Sequence, residues 1–390
     1  MPRTDLPFSR RLHDIEPFHV MELLRRSREL EAAGRDIIHM EVGEPDFGTP
    51  EPILEAATRF LATGNVHYTS GLGMPALREA IARFYADRFG LDIAPERIVV
   101  TPGASGALML ALAALTDPGD VWLMPDPTYP SNRHLVRAFE GRVRALPSDA
   151  AQAYQPTAAQ VESAWCDRTR GLMVASPSNP TGTLIAPATL RALADGVRRR
   201  GGTLIVDEIY QGLTYGVAAS TALAEADDAF VINSFSKYFG MTGWRLGWLV
   251  VPDGFAREIE RLAQHFFIAA STVAQHAALA AFSPACMAVH EARRAEFSAR
   301  RNVLLPALEA LGFGVGTAPE GAFYIYADIR SLAPDCETLA HRLIEDAGVA
   351  ATPGIDFGEF RCREHIRFAY TTGIDRLEAA VERIAGVLRG

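Results

Sequence analysis

Residues 229–248 read Ala229-Phe-Val-Ile-Asn-Ser-Phe-Ser-Lys237-Tyr-Phe-Gly-Met-Thr-Gly-Trp-Arg245-Leu-Gly-Trp248. The opening apolar run, Ala229 to Ile232, has the character of a buried strand. Behind it comes a loop of small, hydroxyl and aromatic residues around one lysine. Arg245 follows eight residues later, fenced by Gly240, Gly243 and Gly247. A lone lysine in apolar company is normally a snorkelling surface residue. Lys237, however, is the only lysine of the chain, and arginine does every other basic job. Arginine can replace a surface lysine, but not a lysine that must lose its proton. A desolvated lysine beside other cations is a route to an amine nucleophile that forms Schiff bases. The stretch therefore reads as an imine-forming Lys237 beyond a strand end, with Ser234, Ser236 and Arg245 placed to hold an anion.

Upstream, apolar runs recur at intervals suited to strands: Arg97 to Thr101, Asp120 to Met124, Arg142 to Leu146, Gly171 to Ala175 and Thr203 to Val206. Amphipathic helical patterns fall between most of them, at about 105–115, 132–139, 157–164 and 187–200. This alternation predicts an α/β fold whose mainly parallel sheet is covered by helices on both faces. After Ser283 the pattern changes. A long helix is expected from about residue 285 towards 311, strands near 313–315 and 322–327, a helix over 336–347, a strand over 365–370 and a last helix over 375–388. The expected organisation is an N-terminal arm (1–15), a large domain (46–284) and a smaller α+β domain built from both chain ends (16–45 and 285–390).

Composition sets the function classes. At 390 residues and 48% hydrophobic content, the chain can bury a sizeable core. Its net charge of -9 argues against a nucleic-acid or anionic-membrane surface. Cys166, Cys286, Cys336 and Cys362 stand at no metal-ligand spacing, so reduced thiols in a cytoplasmic protein are expected and no metal site is. No signal peptide or run of about 18 apolar residues is evident.

Ligands of open α/β sheets bind at the carboxyl ends of strands, and several unusual loops sit there. Gly103, Ala104 and Ser105 begin a helix, where free N–H groups and the positive dipole end suit a phosphate; many strand-to-helix turns look alike. Tyr129 lies between two prolines, either as a rigid core residue or as a platform for a flat ligand. Asn179-Pro180 is a candidate cis bond, either a simple turn or a device aiming the Asn179 amide. Asp207 ends an apolar strand, where an unpaired carboxylate is costly and calls for a cation; Tyr210 lies three residues on. Arg367 sits inside the apolar strand near the C-terminus. Its guanidinium fork matches a bound carboxylate or, internally, Glu364 or Asp356.

Together these residues resemble the pyridoxal-phosphate-dependent aminotransferases of fold type I, class I/II, the aspartate aminotransferase family. The resemblance runs nearly the whole chain. It rests on Gly-Glu-Pro-Asp-Phe at 43–47, Tyr68 before a glycine loop, Asn-Pro-Thr-Gly at 179–182, Asp-Glu-Ile-Tyr at 207–210, Ser-Phe-Ser-Lys at 234–237, Gly-Trp-Arg-Leu-Gly at 243–247 and Arg367. It implies a seven-stranded sheet in the large domain and pyridoxal 5'-phosphate as cofactor. It further implies that Lys237 carries the cofactor as a Schiff base and shuttles the proton. Asp207 is implied to pair with the ring nitrogen, Asn179 and Tyr210 to bind the ring hydroxyl, and Tyr129 to stack on the ring. Gly103, Ala104, Ser105, Ser234, Ser236 and Arg245 are implied at the phosphate. Tyr68 is implied to reach the neighbouring subunit's site in a homodimer with shared sites. Arg367, with Gly43 beside it and Asn179 near, is implied to hold the substrate carboxylate.

The implied activity is ping-pong transfer of an amino group from an L-amino acid to a 2-oxo acid, 2-oxoglutarate or pyruvate. Ser105 stands where one branch of the family carries a lysine for dicarboxylates, which speaks against strict aspartate specificity. Phe18, His19, Phe239 and Tyr324 are candidates for the side-chain pocket. A carbon–sulfur β-lyase is the alternative on the same fold. A non-enzymatic regulator is a further one, although the chain shows no basic DNA-binding segment.

Overall fold

The computed structural model describes residues 8–389. Residues 1–7 of the expected arm, and Gly390, lie outside the described residues. The strands are β1 (Ile38–Met40), β2 (Ile98–Thr101), β3 (Val121–Asp126), β4 (Arg142–Pro147), β5 (Thr169–Ala175), β6 (Thr203–Asp207), β7 (Phe230–Ser234), β8 (Gly247–Val250), β9 (Tyr324–Asp328), β10 (Val349–Pro353) and β11 (His365–Ala369). The helices are α1 (His19–Ala32), α2 (Glu51–Leu61), α3 (Pro75–Phe89), α4 (Gly103–Leu115), α5 (Pro130–Ala138), α6 (Ala158–Ala164), α7 (Pro187–Arg199), α8 (Ala256–Phe266), α9 (Thr272–Leu279), α10 (Pro284–Ala310), α11 (Cys336–Arg342) and α12 (Ile374–Arg389). None is by itself long and apolar enough to cross a membrane.

The larger sheet has seven strands in the order β2-β8-β7-β6-β5-β3-β4. All neighbours are parallel except β8, which is antiparallel to β2 and β7. Its central strands are apolar on both faces because helices cover both, and β5, β6 and β7 are buried almost throughout. The strand order reverses beside β3, the kind of crevice where such sheets take ligands. The carboxyl ends of β2, β3, β5, β6 and β7 therefore open onto one edge. The antiparallel β8 begins at that edge, with Gly247 in register with both Thr101 and Ser234. A Cβ on Gly247 would lie 2.8 Å from the Ala104 nitrogen. Glycine here lets the strand pass under the start of α4.

The smaller sheet, β1-β10-β11-β9, joins the two ends of the chain. The strand expected over 313–315 is absent, and Gly314 makes only an isolated bridge to Asp328. Glycines at 312, 314 and 316 deprive that segment of packing side chains. Instead β10, Val-Ala-Ala-Thr-Pro, supplies the missing strand. The long α10 begins with Pro284 as its first residue and is capped by the Ser283 hydroxyl.

Candidate active site

Lys237 sits three residues past the end of β7 and is half-buried in a cavity of about 320 Å³. Its Nζ donates to the Gly43 carbonyl at 2.6 Å. Burial pushes its pKa down to about 8; Arg245 and Arg367 act in the same direction, Glu44 and Asp207 against it. Loss of hydration disfavours the ammonium, so the amine is closer to its nucleophilic form. Asp207, at the end of β6, is pushed up to about 6 by burial, with the Ile209 N–H and Lys237 opposing. Its Oδ1 accepts from that N–H at 3.0 Å, and no ion-paired arginine reaches it among the described residues. It is a carboxylate facing a cavity, with Lys237 near it but no salt bridge among the described residues.

The same cavity holds an anion cradle. Ala104, Ser105, Ser236 and Arg245 line it. Ala104 and Ser105 belong to the first turn of α4, whose N–H groups have no intrahelical partner. Arg245 takes a left-handed backbone, φ 53°, and donates to the Thr242 carbonyl at 2.9 Å, with no carboxylate partner among the described residues. Its guanidinium lies over Gly103, where a Cβ would come within 2.5 Å of Nη2. Ser234 is placed differently. Its hydroxyl donates to Ser236 at 2.9 Å and accepts the Ser236 N–H at 3.0 Å, so it stands behind the wall.

Arg367, in the middle of β11, is 4% exposed. It donates to Asn179 Oδ1 at 2.8 Å, to Thr352 Oγ1 at 3.2 Å and to the Glu41 carbonyl. Its Nε has no partner. Neither carboxylate suggested by the sequence is there. Glu364 pairs with Arg361 at 2.7 Å, and Asp356 accepts the His19 N–H at 3.1 Å. Arg367 instead lies over the rings of Tyr324, 4.3 Å from its centroid, and Phe357, 4.8 Å away. A buried guanidinium without a carboxylate is poised for an external one.

Tyr129, Asn179 and Tyr210 line the same cavity, and the Asn179–Pro180 peptide is cis. Tyr129 caps α5 and faces the Phe18 ring at 6.1 Å. Tyr68 does not join them: it is 82% exposed and outside the cavity of its own chain. Phe18 and Tyr324 line the cavity, as expected of pocket residues. Phe239 does not; it is enclosed by Phe84, Phe235, Trp248 and Phe282. His19 contributes its N–H to Asp356 rather than a ring to the pocket. The pocket wall overlooked in the sequence is Val20, Met21 and Leu24 of α1 with Leu135, Asp356 and Phe357. A helical apolar stripe carries no sign of whether it faces a core or a cavity. A larger cleft, about 710 Å³ between α3 and α10, holds none of these groups.

A lysine with a lowered pKa, a carboxylate without a salt bridge, an anion cradle and a guanidinium without a carboxylate thus share one cavity, and the sequence match is equally extensive. The model of the family "Aminotransferase class I and II" matches residues 35–384. The chain belongs to this family. It is similar to a valine–pyruvate aminotransferase of Mycobacterium tuberculosis, 37% identical over 96% of this chain and 97% of that enzyme. It is also similar to an aspartate/prephenate aminotransferase of Thermus thermophilus, 36% identical over 97% of this chain and 98% of the other. A crystal structure of an aminotransferase from M. tuberculosis superposes with a TM-score of 0.94 at 36% identity, covering 98% of this chain and 99% of that one. The protein is a transaminase dependent on pyridoxal phosphate, acting on amino acids and 2-oxo acids. The cavity fits that cofactor on its own chemistry, holding both an anion cradle and a carboxylate for a protonated ring nitrogen.

Proposed function

We propose that this aminotransferase takes L-amino acids with apolar side chains, aliphatic or aromatic, and passes the amino group to pyruvate or 2-oxoglutarate in a ping-pong cycle. The observation that carries the reading is the position of Arg367 beside an apolar wall. The cations lining the cavity are Lys237, Arg245 and Arg367, and none belongs to the wall of Phe18, Val20, Met21, Leu24 and Leu135. That wall carries a carboxylate, Asp356, which repels a second substrate carboxylate. Each substrate methylene buried there contributes about 0.8 kcal/mol.

In this reading Lys237 holds the cofactor covalently and Arg245, Ala104, Ser105 and Ser236 hold its phosphate. Asp207 would hold the proton of its ring nitrogen, and Asn179 and Tyr210 would bind its ring hydroxyl. When bound, the cofactor supplies an electron sink that acidifies the substrate α-C–H. Arg367 fixes the α-carboxylate and thereby the α-carbon near Nζ. Lys237, as the amine, would take the α-proton and deliver it to the cofactor carbon beyond the substrate nitrogen, acting as base and then acid. The active unit is a homodimer. Tyr68 is exposed and lies outside the cavity of its own chain, and Leu61, Val66 and Ile268 are also exposed, which supports a second copy covering them.

The test is a panel of amino acids mixed singly with the purified holoenzyme, following conversion of the cofactor to its amine form. Valine, leucine and phenylalanine should convert at least about tenfold more efficiently than alanine or aspartate. Preference for aspartate would overturn the reading.

A further inference from the structure

Tyr324 holds a place between two functional groups that were assigned separate tasks. Its hydroxyl lies 2.8 Å from the Tyr210 hydroxyl. Its ring carries the Arg367 guanidinium at 4.3 Å. It is 1% exposed, and its position is set by main chain: a Cβ on Gly43 would fall 1.8 Å from the Tyr324 oxygen. We propose that Tyr324 is a positioning residue that joins the carboxylate clamp to the cofactor's hydroxyl contact, its ring seating Arg367 and its hydroxyl orienting Tyr210. This rests on the roles given above to Arg367 and Tyr210.

The two halves follow from different physics. A cation over an aromatic face is attracted by the ring quadrupole, more strongly where both are desolvated. Arg367 has hydrogen bonds at its outer nitrogens but none at Nε, so the Tyr324 and Phe357 rings are its remaining support. The hydroxyl half is a question of direction. Either oxygen of the pair could donate. Burial raises the pKa of both phenols and Arg367 lowers both, but it is the Tyr324 ring that carries the guanidinium, at 4.3 Å. A phenol whose ring faces a cation is the better donor, so in this proposal Tyr324 donates and Tyr210 accepts. That leaves the Tyr210 proton to point into the cavity, and a chain of hydrogen bonds in this sense makes it a stronger donor. Phenylalanine at 324 keeps the first function and removes the second; leucine removes both.

The experiment compares wild type, Tyr324→Phe and Tyr324→Leu by two readouts besides turnover. The first is the dissociation constant of 3-methylbutyrate for the apoenzyme, by calorimetry. The second is the pH midpoint of the visible absorption of the loaded enzyme. Tyr324→Phe should bind the carboxylate within about twofold of wild type, shift the absorption midpoint upward by roughly half a unit and lower kcat about fivefold. Tyr324→Leu should also weaken carboxylate binding at least about fivefold. An unmoved midpoint in Tyr324→Phe would overturn the proposal, as would unchanged carboxylate binding in a Tyr324→Leu protein of normal thermal stability. The Phe variant tests the hydroxyl half even if the Leu variant fails to fold. If wild-type apoenzyme binds no carboxylate, the clamp reading itself fails, and that outcome is distinct from variants behaving like a wild type that does bind.

Discussion

Lys237 and Arg367 are cations contributed to one cavity by the two sheets, and their settings differ. Lys237 lies on a loop past the end of a parallel strand, half-buried, with one carbonyl as its hydrogen-bond partner. Arg367 is inside an antiparallel strand, almost fully buried, with oxygen partners on its outer nitrogens and rings on its faces. Desolvation acts on both, but only the amine can answer by giving up its proton. In the proposed cycle the loop cation changes charge and the strand cation keeps it. The chemistry of the two residue types, more than their burial, separates the tasks.

The harshest way to break this comparison is to make the two cations alike. Lys237→Arg keeps a positive charge and removes the titratable amine, and kcat should fall at least about 10³-fold. Substantial turnover in that variant would end the assignment. The amine itself can be read by pH. At pH 7 the neutral fraction at a pKa of about 8 is about 300 times that at 10.5, so apoenzyme should combine with pyridoxal phosphate at neutral pH and faster as pH rises through about 8. A flat rate between pH 6 and 9 would contradict the lowered value.

A smaller effect is expected from Arg367→Ala. Loss of a charge-assisted carboxylate contact should raise the KM for the amino donor about 10- to 100-fold and change kcat less. Equal falls in kcat and kcat/KM would show that the strand cation acts in the transition state as well. The smallest concerns the segment the two cations share. His39 lies between Glu41, at 2.7 Å, and Glu31, at 3.0 Å, and Glu41 raises its pKa to about 9. A raised histidine pKa stabilises the fold fully below about 6.5, and the contribution is lost as pH rises through about 9. His39→Ala should therefore cost less than about 1 kcal/mol at pH 6, the solvent screening a half-exposed ring, and almost nothing at pH 10. Equal losses at both pH values, by thermal or urea unfolding, would rule out the ion pair as the cause.

The parallel part of the large sheet was legible because its strands are apolar on both faces and bounded by glycine-, proline- and asparagine-rich loops. Two strands escaped. Gly247–Val250 is hidden at the end of a glycine-rich loop, and Val349–Pro353 is made largely of small residues and ends in proline. Helices α8 and α9 also passed unread. At the site, residues marked by chemistry were legible: Lys237, Asp207, Asn179, Tyr210, Arg245 and Arg367 do meet at one cavity. Residues marked only by hydrophobicity were not. Phe239 belongs to an aromatic cluster and Met21 to the pocket, and nothing in residue type separates those outcomes. Carbonyl acceptors leave no trace in a sequence at all.

Three such carbonyls stand in a row. Glu41 O serves Arg367 and Thr352, Val42 O serves Thr371, and Gly43 O serves Lys237. The spacing between Arg367 and Lys237, the clamp and the proton carrier of the proposed cycle, is thus templated by peptide units, which every amino acid carries. Mutation at position 42 can leave that spacing intact, whereas at Gly43 any side chain would collide with Tyr324. The pocket wall of α1 side chains can therefore be redrawn by substitution without touching the carbonyls that space the two cations.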